Sequence, residues 1–221
     1  MINNEEGGSV RVLAVVGDYY HDEKLFKDTL DKVTHSIEEV EVMYTDRKNV
    51  IDKLNLQPSL VILAAENRLN PEDENVKSWM TTEDAEAIDT YVKKGGSWFA
   101  WHSGLASYEE LTEYVKLLGG YFTHHPDDHA QVRYTFKESS LYKEKQPSFE
   151  ISDEHYFVQL MGEVDVFLES SSKDGDSIAG WTKTVGKGKV AAYTPAHKEE
   201  GLSHPQVHKD LTSIIKWCVS S

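Results

Sequence analysis

His102 stands where an apolar run stops. Gly95-Gly96-Ser97-Trp98-Phe99-Ala100-Trp101-His102-Ser103-Gly104 reads as a glycine turn, a buried strand and an abrupt polar end, and a helical pattern follows over Glu109–Leu118. A strand that ends in a tight turn before a helix sets its last residue at the carboxyl edge of an open α/β sheet, where such folds bind ligands and do chemistry. Many enzymes carry a nucleophilic serine or cysteine at that turn. An imidazole there acts instead as a metal ligand or a general acid/base, or more simply caps the helix or ties down a loop. Three further segments have the same character. His124-His125-Pro126 closes Gly119-Gly120-Tyr121-Phe122-Thr123, Asp153-Glu154-His155-Tyr156 interrupts a strand-like run, and His197 follows Ala191-Ala192-Tyr193-Thr194-Pro195-Ala196. One such histidine is ordinarily a satisfied polar group, whereas four segments of this kind at strand exits point to a shared site. Spacing alone does not choose between His124 and His125, or between Asp153 and Glu154.

The elements that must position these residues follow from periodicity. Val10–Val16, ended by Gly17-Asp18, is a near-continuous apolar run, the pattern of a strand covered on both faces in a parallel sheet. His21–Ser36 carries Leu25, Phe26, Leu30 and Val33 at helical spacing. Glu41–Thr45 and Ser59–Ala65 are the second and third strands. Thr81 with Asp84 marks a helix start, Ala85, Ile88, Tyr91 and Val92 form its apolar stripe, and Gly95-Gly96 ends it before the fourth strand. This alternation predicts an α/β fold with a doubly wound, mostly parallel, flavodoxin-like sheet. From Tyr121 the chain turns β-rich. Strands are expected at Val132–Phe136, Phe149–Val158 and Val164–Ser170, then a hairpin of Ile178–Thr184 and Lys189–Thr194 around Val185-Gly186-Lys187-Gly188. His204-Pro205 opens a terminal helix through Leu211, Ile214, Ile215 and Trp217. With no repeat or low-complexity linker, residues 10–221 read as one domain with a β-rich excursion, after a disordered lead-in over residues 1–9. Arg68–Met80, long and polar with a lone Trp79, is expected as a lid or as a plain surface loop.

The net charge of −15 argues against nucleic acid and anionic membrane surfaces, since both call for basic patches. No apolar run approaches the roughly 18 residues of a membrane span, and the polar, acidic start is unlike a signal peptide. A single cysteine, Cys218, excludes an internal disulfide and reads as a buried small hydrophobe. A cytoplasmic protein with a small-molecule ligand is expected, with a homo-oligomer left open.

Together these segments resemble the ThuA-like (trehalose-utilisation) family of the class I glutamine amidotransferase-like superfamily. The resemblance spans Val10–Val219. It rests on Gly95-Gly96 leading to Trp101-His102-Ser103-Gly104, on Gly119-Gly120-Tyr121-Phe122 leading to His125-Pro126, and on Ile151-Ser152-Asp153-Glu154-His155-Tyr156. It rests also on Gly186-Lys187-Gly188-Lys189-Val190 leading to His197, and on His204-Pro205-Gln206-Val207 through Trp217. Glutamine amidotransferases carry a cysteine where this chain has His102, and Cys218 lies far off on the terminal helix. Glutamine hydrolysis through a thioester is therefore not expected.

The resemblance selects His125 and Glu154 within their pairs and implies a site of His102, His125, Glu154 and His197. Imidazoles and one carboxylate suit zinc, or manganese or iron if more oxygens join, and a divalent cation would acidify a water or polarise a carbonyl. Without a cation, the same groups form a histidine–carboxylate proton-transfer pair. His102, Glu154 and His197 are the expected catalytic residues. The family name implies a sugar ligand. The expected protein is an enzyme of carbohydrate metabolism, a metal-assisted hydrolase or lyase on a sugar or oxidised disaccharide. The alternative is a non-catalytic sugar-binding or regulatory module. Trp101, Tyr108, Tyr156 and Trp181 are the candidate sugar-facing aromatics, with Asp18 and Asn67 as polar contacts, and core packing is the competing fate of each aromatic.

Overall fold

A computed structural model describes residues 9–220, so the expected lead-in lies, but for Ser9, outside the described residues. The first half of the chain forms β1 (Val10–Val16), α1 (Glu23–His35), β2 (Val40–Tyr44), α2 (Val50–Lys53), β3 (Leu60–Ala64), α3 (Thr82–Lys93), β4 (Ser97–Trp101) and α4 (Thr112–Leu118). There follow β5 (Gly120–His124), β6 (Ala130–Phe136), β7 (Phe149–Asp153), β8 (Phe157–Leu160), β9 (Asp165–Ser172), β10 (Gly175–Val185) and β11 (Gly188–Tyr193), then α5 (Glu199–Leu202) and α6 (Pro205–Val219).

Nine strands form one sheet in the order β2-β1-β3-β4-β11-β10-β9-β6-β7. The first five are parallel and the other four continue the sheet antiparallel. The central parallel strands are apolar but for residues at their starts, such as Ser97 of β4, because each of their faces meets helices. Leu60, Ile62, Phe99 and Trp101 join Phe26 and Leu30 of α1 and Leu211 and Ile214 of α6 in one core. Val61, Leu63, Trp98 and Ala100 join Ile88 and Val92 of α3 and Tyr114 of α4 in the other. Local signals set the helix starts. The Asp22 carboxylate caps α1, Thr81 and Asp84 form a capping box on α3, and Pro205 occupies the first turn of α6. Cys218 is buried in the first core, as expected.

The expected strand Phe149–Val158 is in fact two. The chain leaves β7 at Glu154, and β8 pairs with β5 in a separate two-stranded sheet. β7 also lies four strand spacings from β11, about 19 Å in a flat sheet. Yet Asp153, at the end of β7, accepts a hydrogen bond at 3.0 Å from the His197 N–H just past β11. The antiparallel extension therefore coils back over the carboxyl edge of the parallel strands and brings its loop against theirs.

Candidate functional site

His102 closes β4 with φ +46, a left-handed conformation that costs a non-glycine residue roughly 1–3 kcal/mol. The turn is pressed onto β3, where a Cβ at Gly104 would lie 2.0 Å from the Leu63 carbonyl oxygen. The imidazole is fully buried, with Nδ1 2.6 Å from the Thr194 carbonyl oxygen. A carbonyl only accepts, so Nδ1 carries the hydrogen and Nε2 keeps its lone pair. Burial lowers the pKa to about 4 despite the opposing pull of Glu154, so the ring is neutral at ordinary pH.

His21 is held in the same manner at the exit of β1. Its Nδ1 lies 2.5 Å from Asp18 Oδ1, and its buried Nε2 has no partner among the described residues. Asp18 also accepts from the N–H groups of Tyr20 and Glu66. Burial works to raise the Asp18 pKa, but His21 and these donors win and hold it at about 2. The His21 ring centre lies 5.0 Å from that of His102 and 4.7 Å from that of His197.

Glu154 completes the group. Its Oε2 is 3.2 Å from His197 Nδ1 and 3.6 Å from His102 Nε2, and the two imidazole nitrogens are 3.4 Å apart. One donor atom from each of His21, His102, Glu154 and His197 lies within 4.8 Å of all the others. Ligands about 2.0–2.2 Å from a tetrahedral ion stand about 3.3–3.6 Å apart, so the widest pairs of this group would draw in by about 1 Å to close a coordination shell. The unpartnered His21 nitrogen and the three-nitrogen, one-carboxylate donor set both fit a divalent cation, and two of the imidazoles carry the outer acceptors that orient metal ligands. Burial works to raise the Glu154 pKa, but it lies far below the usual carboxylate range, with the hydrogen bond and charge of His197 among the groups that hold it there. Burial likewise works to lower His197, and Glu154 raises it on balance. Asp153, the competitor of Glu154, is fully buried behind the group. There it anchors the His197 backbone, and burial lifts its pKa to about 7.

The group opens into a cavity of about 400 Å³ lined by Tyr20, Glu66, Arg68, His125, Tyr156 and neighbours. A larger one, about 930 Å³, lies at the other end of the strands around Gly95, Gly96 and Cys218, with no histidine in its wall. His102, Glu154 and His197 are thus brought together at one sheet edge. His125 stands at the rim, with Nε2 3.9 Å from Glu154 Oε1 and Nδ1 2.7 Å from the Pro126 carbonyl oxygen. His129, which the sequence did not single out, lies equally far from Glu154 Oε1. His124 stacks on Phe157 instead. Tyr156 lines the cavity and stacks on His102 at 4.3 Å.

The remaining candidates lie elsewhere. Trp101, Trp181 and Tyr108 are core residues, with their polar tips donating to the carbonyl oxygens of Pro195, Leu118 and Ala65. Their large apolar surfaces gain more from burial than from a wet cavity. Asp18 orients His21 rather than facing a ligand, and Asn67 ties Met80 N–H to the Ser107 carbonyl. Trp79 packs on the second core and donates to Tyr108 Oη at 3.1 Å, away from the cavity lining. The residues missed were His21, His129, Glu66 and Arg68. For His21 a signal existed: an aspartate and a histidine three residues apart at the exit of the first strand.

No helix of the described residues is long and apolar enough to cross a membrane. No curated protein matches the chain by sequence. Among solved structures, a ThuA-like protein from Parabacteroides merdae ATCC 43184 superposes with a TM-score of 0.74 at 14% identity, covering 96% of this chain and 90% of that one. A ThuA-like protein from Bacteroides uniformis ATCC 8492 gives 0.72 at 17%, covering 100% and 95%. A β-galactosidase from Rahnella sp. R3 gives 0.63 at 15%, over 95% of this chain but only 31% of that enzyme. At such identities the likeness is one of fold: mixed α/β with a large, mostly parallel sheet. The profile of the trehalose-utilisation family, ThuA, matches residues 11–218, and the chain belongs to that family.

Proposed function

We propose that the chain is a carbohydrate-metabolism enzyme, a cation-assisted hydrolase or lyase acting on a sugar or an oxidised disaccharide. The observation that carries this reading is the gathering of one donor atom each from His21, His102, Glu154 and His197 within 4.8 Å of one another beside a cavity. Zinc is the cation expected for so imidazole-rich a set. A bound divalent cation makes a nearby carbonyl more electrophilic and a nearby water more acidic. The chain's own residues do the rest. Asp18 and the Thr194 carbonyl fix the two innermost rings, so the site is arranged before a ligand arrives. His125 and His129, both 3.9 Å from Glu154 Oε1, are positioned to carry a proton between the cavity and solvent. Tyr156 and Phe122 give the cavity an aromatic wall. The parallel strand order β2-β1-β3-β4-β11 supports the doubly wound, flavodoxin-like reading of the scaffold, and a cytoplasmic setting belongs to the same proposal.

The test is metal analysis of protein purified without chelator, then turnover of disaccharides and their oxidised derivatives with and without chelator. About one cation per chain and chelator-sensitive turnover are expected. Far less than one cation per chain, with no tight zinc binding at neutral pH, would defeat cation assistance. Ligand binding without turnover would point to a sugar-binding module.

A further inference from the structure

A buried carboxylate in the cavity takes no part in the histidine cluster. Glu66 lies just past β3 with its side chain 2% exposed. Its Oε2 accepts from Arg68 Nε at 2.7 Å and from Ser107 Oγ at 3.2 Å, while its buried Oε1 has no partner among the described residues. Native proteins rarely leave a buried carboxylate oxygen unpaired, and a cavity wall is a place where a ligand can supply the missing donor. The position is built from several sides. Asp18 accepts from the Glu66 N–H at 2.9 Å, and Arg47 donates to the carbonyls of Glu66 and Arg68. Ser107 is held at φ +66. Since Asp18 also holds His21, Glu66 is fixed relative to the cluster. Arg68 lies over the Tyr20 ring at 5.8 Å, and Tyr20, 44% exposed, lines the same cavity.

The charges narrow the choice of ligand. Glu66 neutralises Arg68, and the open Oε1 repels phosphates and carboxylates, while the guanidinium beside it repels cations. A neutral ligand with adjacent hydroxyls suits both: one hydroxyl donates to the carboxylate and the next accepts from the guanidinium. We propose that Glu66, Arg68 and Tyr20 form a second subsite that takes a neutral pyranose ring, with Glu66 Oε1 and Arg68 on two neighbouring hydroxyls and the Tyr20 ring beneath the guanidinium, steadying it at the cavity wall. The substrate then spans the cavity, with one ring on this subsite and the reacting end at the cluster. This inference rests on the carbohydrate reading and is independent of which cation, if any, the cluster holds.

Calorimetric titration of the full chain with trehalose, cellobiose and methyl α-glucoside tests it, with metal content and melting temperature measured on every sample. Glu66→Gln and Arg68→Met are each expected to weaken binding about ten- to hundredfold, the usual effect of losing a charged hydrogen bond, with metal content unchanged. Tyr20→Ala should weaken it less. Should Glu66→Gln fail to fold, the half-exposed Arg68 and Tyr20 decide the matter. Folded variants that bind as tightly as wild type overturn the subsite and leave the carbohydrate reading standing. A wild-type chain that binds none of the three sugars overturns that reading and the subsite with it. Tighter binding of glucose 6-phosphate than of neutral sugars makes this an anion site and also refutes the proposal.

Discussion

Replacing His21 separates the cluster seen in the structure from the set implied by family resemblance, which had His125 in its place. His21 Nε2 is buried and without a partner among the described residues, and its Nδ1 is pinned by Asp18 at 2.5 Å. His125 is the reverse: its side chain is 34% exposed, Nδ1 faces the Pro126 carbonyl, and Nε2 stands 3.9 Å from Glu154 Oε1, while Oε2 is the oxygen nearest His102 and His197. Loss of an outer partner commonly costs 10–100-fold in metal affinity. Asp18→Asn, which weakens the grip on the His21 ring, should therefore weaken zinc binding by about that factor. His21→Ala removes a ligand outright and should exceed it, a loss of more than about 2.7 kcal/mol. His125→Ala should stay within about threefold of wild type, because no ligand is lost. The assay is competition against a chromophoric chelator at neutral pH, with metal content after dialysis and a circular dichroism melt to confirm folding. Wild-type zinc affinity in His21→Ala, or loss of zinc in His125→Ala with His21→Ala intact, would refute the assignment.

Other predictions follow from packing and burial. Gly104→Ala should lower the melting temperature sharply or prevent folding, because the added carbon meets the Leu63 carbonyl oxygen at 2.0 Å; a melt within a degree or two of wild type would contradict the tight turn. Trp79→Ala should cost about 3 kcal/mol in denaturant unfolding and leave sugar affinity unchanged, since the indole packs on the core; the opposite pattern would restore the lid. Cys218→Ser should leave metal and sugar binding intact, and wild type should release no ammonia from glutamine, because burial pushes the thiol up and no nucleophile stands at residue 102. Asp210 is buried among Tyr142, Tyr193 and Gln206, and burial raises its pKa to about 6 although those donors oppose it. The folded chain then keeps a proton that the unfolded chain has lost. Stability should fall by up to about 3 kcal/mol as pH rises from near 4 to 6, and Asp210→Asn should flatten that slope in melts across the range.

What could be read from sequence follows the physics of each element. β1, β3, β4 and β11 were legible because burial on both faces leaves an unbroken apolar run, and α3 because its capping box is local. The break between β7 and β8 was visible only as a polar interruption, because the passage of the chain from one sheet to another at Glu154 has no local signature. His102 and His197 were found because each ends such a run. His21 was missed because it stands within Asp18-Tyr19-Tyr20-His21-Asp22, a polar stretch that also reads as the start of α1. The aromatic candidates fared unevenly: Tyr156 reached the cavity and Trp101, Tyr108 and Trp181 did not, since side-chain direction at a strand or loop depends on register and packing. Glu66 and Arg68 flank the Asn67 that was chosen, a miss of one residue that reverses which side of the loop is read.

The coiling of the antiparallel extension has a consequence for how this site can change. His21, His102 and His197 all stand at exits of the parallel strands, whereas Glu154 comes from the far edge of the extension, between β7 and β8. The formal charge of the donor set is thus supplied by a part of the chain that carries none of the imidazoles. Substitution, shortening or regrafting of the β7–β8 connection would alter that charge while the His21 and His102 rings stayed anchored by Asp18 and Thr194. On this scaffold, ion preference and strand architecture can vary separately, and the connection at Glu154 is where a redesign should begin.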